Sequence, residues 1–241
     1  MNDRLDPRIL RAEARGALQA SRVPALRFTA LLYALTLALS LLDAAAGRAL
    51  GGVQVASFSV SFVSILVMLV CDVLGAGYVC YCLRVSRGEE APYASLFDAF
   101  PFAGKVVALS VARGVLFGAG LTLFVVPGVV LALSYSLALF HLCEEPELGV
   151  VEAMRRSRME MRGRKWALLT LYLSFLPLLG FAALVLLYCQ GMLAVQFPDT
   201  LAGDVLFVLA SGALTFTSQL YLRPWLTLAH AGFYNKVKEE F

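Results

Sequence analysis

Asp72, Arg113 and Arg223 are ionisable residues set inside long apolar stretches of this chain. A charge in hydrocarbon is costly, so each is a candidate for ion pairing, ligand binding or proton relay. Asp72 stands before Leu83 and Arg113 beyond Lys105 at depths of about 16 and about 12 Å, taking the helical rise per residue. In consecutive antiparallel helices those depths bring the two within reach, and an Asp72–Arg113 salt bridge is expected. Arg223 precedes Pro224, whose missing N–H frees one backbone carbonyl. Gln219, Tyr221 and the tyrosines Tyr78 and Tyr135 are expected around it. The functional expectation is a polar, cytoplasm-facing pocket with one net positive charge, suited to an anionic group. The plainer one is a structural salt bridge plus one snorkelling arginine.

A second set lies in Val151–Trp166. On a helix, Val151, Met154, Arg158, Met161 and Lys165 fall on one side, while Arg155, Arg156, Arg162 and Arg164 supply a cationic fringe. Such a helix suits the headgroup layer, where arginines attract anionic lipid and the Trp166 ring sits at the interface. Arg155, Arg156, Arg162, Arg164, Lys165 and Trp166 are therefore candidate lipid contacts. Topology alone would also account for the charges.

Other chemistry lacks a signature. His141 and Glu144 form an i, i+3 pair, but a carboxylate-bridged metal site needs a second such pair and further acids. No phosphate loop, nucleophile elbow or zinc-protease helix is present. The five cysteines read as small apolar packing residues. Gly114, Gly118 and Gly120 make a small-residue face for close helix packing. No metal, cofactor or nucleic-acid partner is expected.

These residues must be positioned by helices, because 60% of the 241 residues are hydrophobic, 15% are charged, and mean hydropathy is +0.77. Apolar runs cover about 26–46, 55–83, 106–126, 128–143, 167–190 and 205–234, each near the roughly 20 residues that cross a bilayer. The expected fold is all-α: one polytopic membrane domain over 1–241, with six transmembrane helices as three helix-hairpin units. Lys and Arg crowd the segments before the first span, between the second and third, between the fourth and fifth, and after the last. That places both termini in the cytoplasm. Residues 1–25, Arg-rich and without an apolar core, read as an amphipathic cytoplasmic helix capped by Asp6 rather than a cleavable signal. Each hairpin follows a short amphipathic or basic segment, and each return span carries a tyrosine (Tyr78, Tyr135, Tyr221), a pattern consistent with triplication of one unit.

Gly77-Tyr78 with Leu83 and Arg87-Gly88-Glu89, Leu96-Phe97 with Phe100, Pro127-Gly128, Ser134-Tyr135-Ser136 and Glu145-Pro146-Glu147 form an ordered series of short motifs. It continues through Ser157, Met161, Gly163-Arg164-Lys165-Trp166 and Leu173-Ser174-Phe175 to Phe233-Tyr234. In this series the chain resembles a family of bacterial integral membrane proteins catalogued as domain of unknown function 975. Arg164 stands where that family favours His. The resemblance implies six spans and no assigned activity. Composition and motifs together predict a multi-pass plasma-membrane protein, non-enzymatic, acting as an accessory or scaffold that associates with anionic lipid or a membrane protein partner. The alternative is a small transporter or lipid-translocating protein using the Asp72, Arg113 and Arg223 region.

Overall fold

The computed structural model describes residues 6–20, 25–50, 53–55, 58–60, 62–89, 91–123, 125–196 and 201–239. In order these form α1 (Pro7–Ala20), α2 (Ala25–Leu50), β1 (Val53–Val55), β2 (Phe58–Val60), α3 (Phe62–Ser86), α4 (Ala103–Leu123), α5 (Val125–Ser134), α6 (Ala138–Glu144), α7 (Val150–Glu160), α8 (Lys165–Gln196) and α9 (Leu201–Glu239). Two single-turn 3₁₀ helices, Tyr93–Phe97 and Phe100–Phe102, join α3 to α4. Leu26–Asp43, Phe62–Ser86, Tyr93–Gly120 and Val126–Glu144 are long and apolar enough to cross a bilayer, which marks a membrane protein. α8 and α9 run for 32 and 39 residues.

Helices pair in the expected order, α2 with α3, α4 with α5 and α8 with α9, each pair preceded by a short segment: α1, the 3₁₀ turns, or α7. α9 also packs along α1, α2 and α3. Asp6 starts α1 as anticipated, its carboxylate accepting the Arg8 N–H at 2.8 Å. The main core gathers Phe28, Tyr78, Tyr81, Leu96, Phe175, Phe233 and Tyr234, all 0–1% exposed. A second cluster joins Val73, Ala76 and Cys80 of α3 to Val106 and Leu109 of α4 and to Ala138, Leu142 and Ala153.

Three expectations are corrected. The run 55–83 does not begin as helix. Its alternating start folds into an antiparallel hairpin, Val53 opposite Val60 and Val55 opposite Phe58, because β-branched and aromatic residues at every second position suit a strand. The run 128–143 is two helices, α5 and α6, broken at 135–137. There the buried Ser157 hydroxyl of α7 accepts the Leu137 N–H at 3.2 Å and donates to the Ser134 carbonyl at 2.9 Å. A side chain from another helix thus satisfies groups that the broken helix leaves open. The cysteines are not all packing residues either, for Cys80 and Cys143 are joined in a disulfide between α3 and α6, and among the described residues Cys71 and Cys82 remain as thiols.

Two glycines are required by backbone approach. A Cβ at Gly77 would fall on the Leu96 carbonyl, where the Tyr93–Phe97 turn crosses α3, and a Cβ at Gly120 would lie 2.6 Å from Gly128 Cα. Gly114 and Gly118 have open space in the same position. So the small-residue face narrows to one contact. Gly77→Ala and Gly120→Ala should each destabilise the fold by about 1–3 kcal/mol, the usual range for overpacking. Gly118→Ala should leave the melting temperature unchanged, and equal melting of all three variants would refute these close approaches.

Candidate functional site

Arg223 stands on α9, whose helix continues through Pro224. The Thr227 hydroxyl donates to the Arg223 carbonyl at 2.8 Å. The guanidinium carbon lies 5.6 Å from the Tyr33 ring centroid and 5.4 Å from that of Tyr78, and a Cβ at Gly75 would stand 3.8 Å from its Nη2. Tyr78 is held in turn by a 2.9 Å hydrogen bond between its hydroxyl and that of the buried Thr29. Among the described residues no carboxylate pairs with Arg223, and its guanidinium lies against aromatic faces instead. Tyr78 thus stands where it was expected, whereas Tyr135 lines a different cavity. The side chains of Gln219 and Tyr221 lie outside the described residues. Tyr33 and Thr29 were not anticipated, since nothing in their local sequence distinguishes them from neighbouring span residues.

The expected Asp72–Arg113 salt bridge is not made: among the described residues the ion pairs include neither side chain. Val73, Ala76 and Cys80 form the face of α3 that meets α4, and Asp72, one turn before Ala76, lies at the edge of that face. Arg113 lies within electrostatic range of Asp72, Tyr172 and His230 without contacting a carboxylate. Tyr172 and His230 meet through a 3.1 Å hydrogen bond at Nδ1, and His230 Nε2 is buried without a partner among the described residues. On its other side Arg113 lines a cavity of about 340 Å³ with Ser110 and Tyr135.

At the end of the bundle that carries Arg84, Arg87, Lys236 and Lys238, sequence reasoning missed a polar network. Glu144 accepts from Tyr234 Oη, Arg87 Nη2 and Lys238 Nζ, each at 2.6 Å. His141 places Nε2 2.9 Å from Glu160 and Nδ1 3.2 Å from the same tyrosine oxygen. Tyr234 has spent its proton on Glu144, so its oxygen must accept from Nδ1. Asn235 extends the network, accepting from Arg87 Nε at 3.1 Å and donating to Ser86 Oγ at 2.9 Å. The His141, Glu144 spacing was the available signal, and this network rather than a metal takes up both side chains.

The basic segment also differs from its expected helical side. α7 buries Ala153 and Ser157, followed by Met161, against α6, while Val151 is 81% exposed. Arg156 pairs with Glu145 at 3.0 Å and with Glu152 at 3.6 Å; Arg155 reaches Glu152 at 4.0 Å. Arg164 donates to the Glu160 carbonyl at 3.1 Å. Arg162 is exposed. Lys165 and Trp166, the latter 76% exposed, line an apolar groove of about 350 Å³ with Val126, Val130 and Leu133. On the opposite flank α1 lays Arg11 over the Phe175 and Trp225 rings at 5.1 and 4.9 Å, and Arg15 over Trp225 at 4.3 Å.

If the network pins the helices together, Tyr234→Phe and Glu144→Gln should each lower the melting temperature, and the double variant should lose less than the sum. A coupling on the order of 1 kcal/mol is expected for residues sharing hydrogen bonds. Additive losses in that cycle would show that the two side chains act separately.

No curated protein and no solved structure shows a match to this chain. A family model described as protein of unknown function (DUF975) matches residues 108–240, more than half of the length. The earlier motifs from Gly77 to Phe100 lie ahead of the matched residues, whereas Arg113, the His141, Glu144, Glu160 and Tyr234 network and Arg223 fall within them. On that match the chain belongs to the DUF975 family, a group defined by sequence and carrying no assigned function.

Proposed function

We propose that this chain is a non-enzymatic protein of the plasma membrane, an accessory or scaffold that associates with anionic lipid and, through it or directly, with a membrane protein partner. The observation that carries the reading is Arg223, a guanidinium held between two aromatic rings with no carboxylate among the described residues. A half-buried arginine in that state favours an anionic group, which accepts charge-assisted hydrogen bonds in a fixed geometry. Exposed Arg158 and Arg162 and the Trp166 ring add a surface of the kind that attracts acidic headgroups.

The topology proposed with it has six spans and both termini in the cytoplasm, because Lys and Arg crowd one set of alternate segments. The Cys80–Cys143 bond pulls the other way, since it lies towards the basic end and a reducing cytosol favours thiols. Reporter fusions decide between them: a cytoplasm-active reporter at Gly88 is expected, and periplasmic activity there would reverse the orientation. A small transporter is the second reading. It is favoured by His230, whose buried Nε2 has no partner among the described residues, beside Phe140 and the Tyr234 network.

Purified protein presented with equimolar phosphatidylglycerol and phosphatidylcholine should retain the acidic lipid in preference, by native mass spectrometry. Neutralising Arg158 and Arg162 should remove the salt-sensitive part of that retention, because screening acts on exposed charges. Arg223→Gln should lower retention with little change in salt dependence. Equal retention of both lipids by the wild type would defeat the lipid reading.

A further inference from the structure

The groove between α4 and α5 is separate from Arg223 and has a different chemistry along its length. Ser110, Arg113, Gly114 and Phe117 are spaced i, i+3, i+4 and i+7, one face of α4, and Leu131 and Tyr135 close it from the return segment. At one end a guanidinium, a hydroxyl and a phenol line the same cavity of about 340 Å³; Phe117 and Leu131 carry it on as an apolar channel. Open space stands over Gly114, where a Cβ would meet nothing within 4 Å. The volume falls in the range of small-ligand pockets, which combine apolar walls with a few placed polar groups.

Charge accounting says what is missing. Arg113 has no carboxylate partner among the described residues, and Asp72, Tyr172 and His230 surround it at electrostatic range without contact. Burying such a cation unpaired is unfavourable, and a phosphate or carboxylate offers two oxygens to its planar donors. The adjoining apolar channel accepts an alkyl chain. We infer that the α4–α5 groove binds one anionic amphiphile, its phosphate or carboxylate on Arg113 with Ser110 and Tyr135, and its chain along Gly114, Phe117 and Leu131. The inference rests on the anionic-lipid reading and adds a defined, single-lipid site to it, independent of Arg223.

The test uses the full chain in mild detergent with dioleoyl phosphatidylglycerol, dioleoyl phosphatidylcholine or inorganic phosphate as probes, and native mass spectrometry as the readout. Wild type should hold one phosphatidylglycerol that survives activation, and Arg113→Gln should reduce its occupancy about tenfold, the loss expected for one charge-assisted contact of about 1.4 kcal/mol. Arg113→Lys should retain part of it. Ala132→Phe serves as the second variant: Ala132 is an exposed groove residue, so a larger ring blocks the channel with the charge left in place, and occupancy should fall again with melting unchanged. Millimolar inorganic phosphate should not displace the lipid; displacement would uphold the anion site and assign it to free phosphate. Wild-type occupancy in both Arg113→Gln and Ala132→Phe, with the preference for acidic lipid intact, would overturn the groove site and leave the broader reading standing. Absence of any preference in the wild type would overturn both.

Discussion

An arginine inside a bundle of apolar helices must find something to offset the loss of water, and the arrangement of this protein follows from how each one does so. Near the basic end the offsets are acids: Arg84 with Asp98 at 2.6 Å and Arg87 with Glu144 at 2.6 Å. On the α1 flank they are aromatic faces and backbone, with Arg11 and Arg15 over Trp225 and the Trp225 indole N–H donating to the Arg11 carbonyl at 3.1 Å. Arg113 and Arg223 differ, because the described residues give them rings or a cavity and no carboxylate. Two such cations on separate helices are difficult to explain as packing. Where a salt bridge serves stability alone, its acid stands beside it.

The remaining polar groups hold the frame around those two positions. Glu144 gathers donors from Arg87, in the turn after α3, and from Tyr234 and Lys238 of α9, while His141 links α6 to Glu160 of α7 and Tyr234 of α9, so three helices and that turn meet through one carboxylate and one imidazole. Ser157 fixes the break between α5 and α6. That break ends α5 beside Tyr135, which turns into the Arg113 groove instead of continuing a straight span. The groove therefore depends on a serine in another helix, and the Arg223 site depends on Thr29 orienting Tyr78. Close approaches at Gly77 and Gly120 hold the same helices at the distances these contacts need.

Much of the helical layout was legible in the sequence, because apolar runs and the placement of Lys and Arg are properties of whole segments that survive errors of a few residues. Helix order and the Asp6 cap were readable in this way. Contacts set by rotation were not. The sequence places Asp72 and Arg113 within reach of each other, yet Asp72 lies at the edge of the α3 face that meets α4 and the two side chains stay at electrostatic range without pairing. The α7 face shifted likewise, because its buried stripe is decided by Ala153 and Ser157, small residues that a hydrophobic pattern undervalues. The network around His141 joins residues 90 or more positions apart, and its carriers, Glu144 and Tyr234, look like an ordinary helix end and an ordinary interfacial tyrosine. The Cys80–Cys143 bond was overlooked since its spacing matches no redox motif.

The central claim is that an anion completes the charge of an interior arginine. It is tested most directly by solid-state NMR dipolar recoupling between ¹⁵N-labelled arginine guanidinium groups and lipid ³¹P, on the full chain in phosphatidylglycerol bilayers. The account predicts strong dephasing of the Arg113 and Arg223 side-chain signals, each assigned by its Gln variant, at the range of a direct hydrogen bond. Dephasing confined to exposed arginines such as Arg158 and Arg162, with both interior signals unchanged, would contradict it.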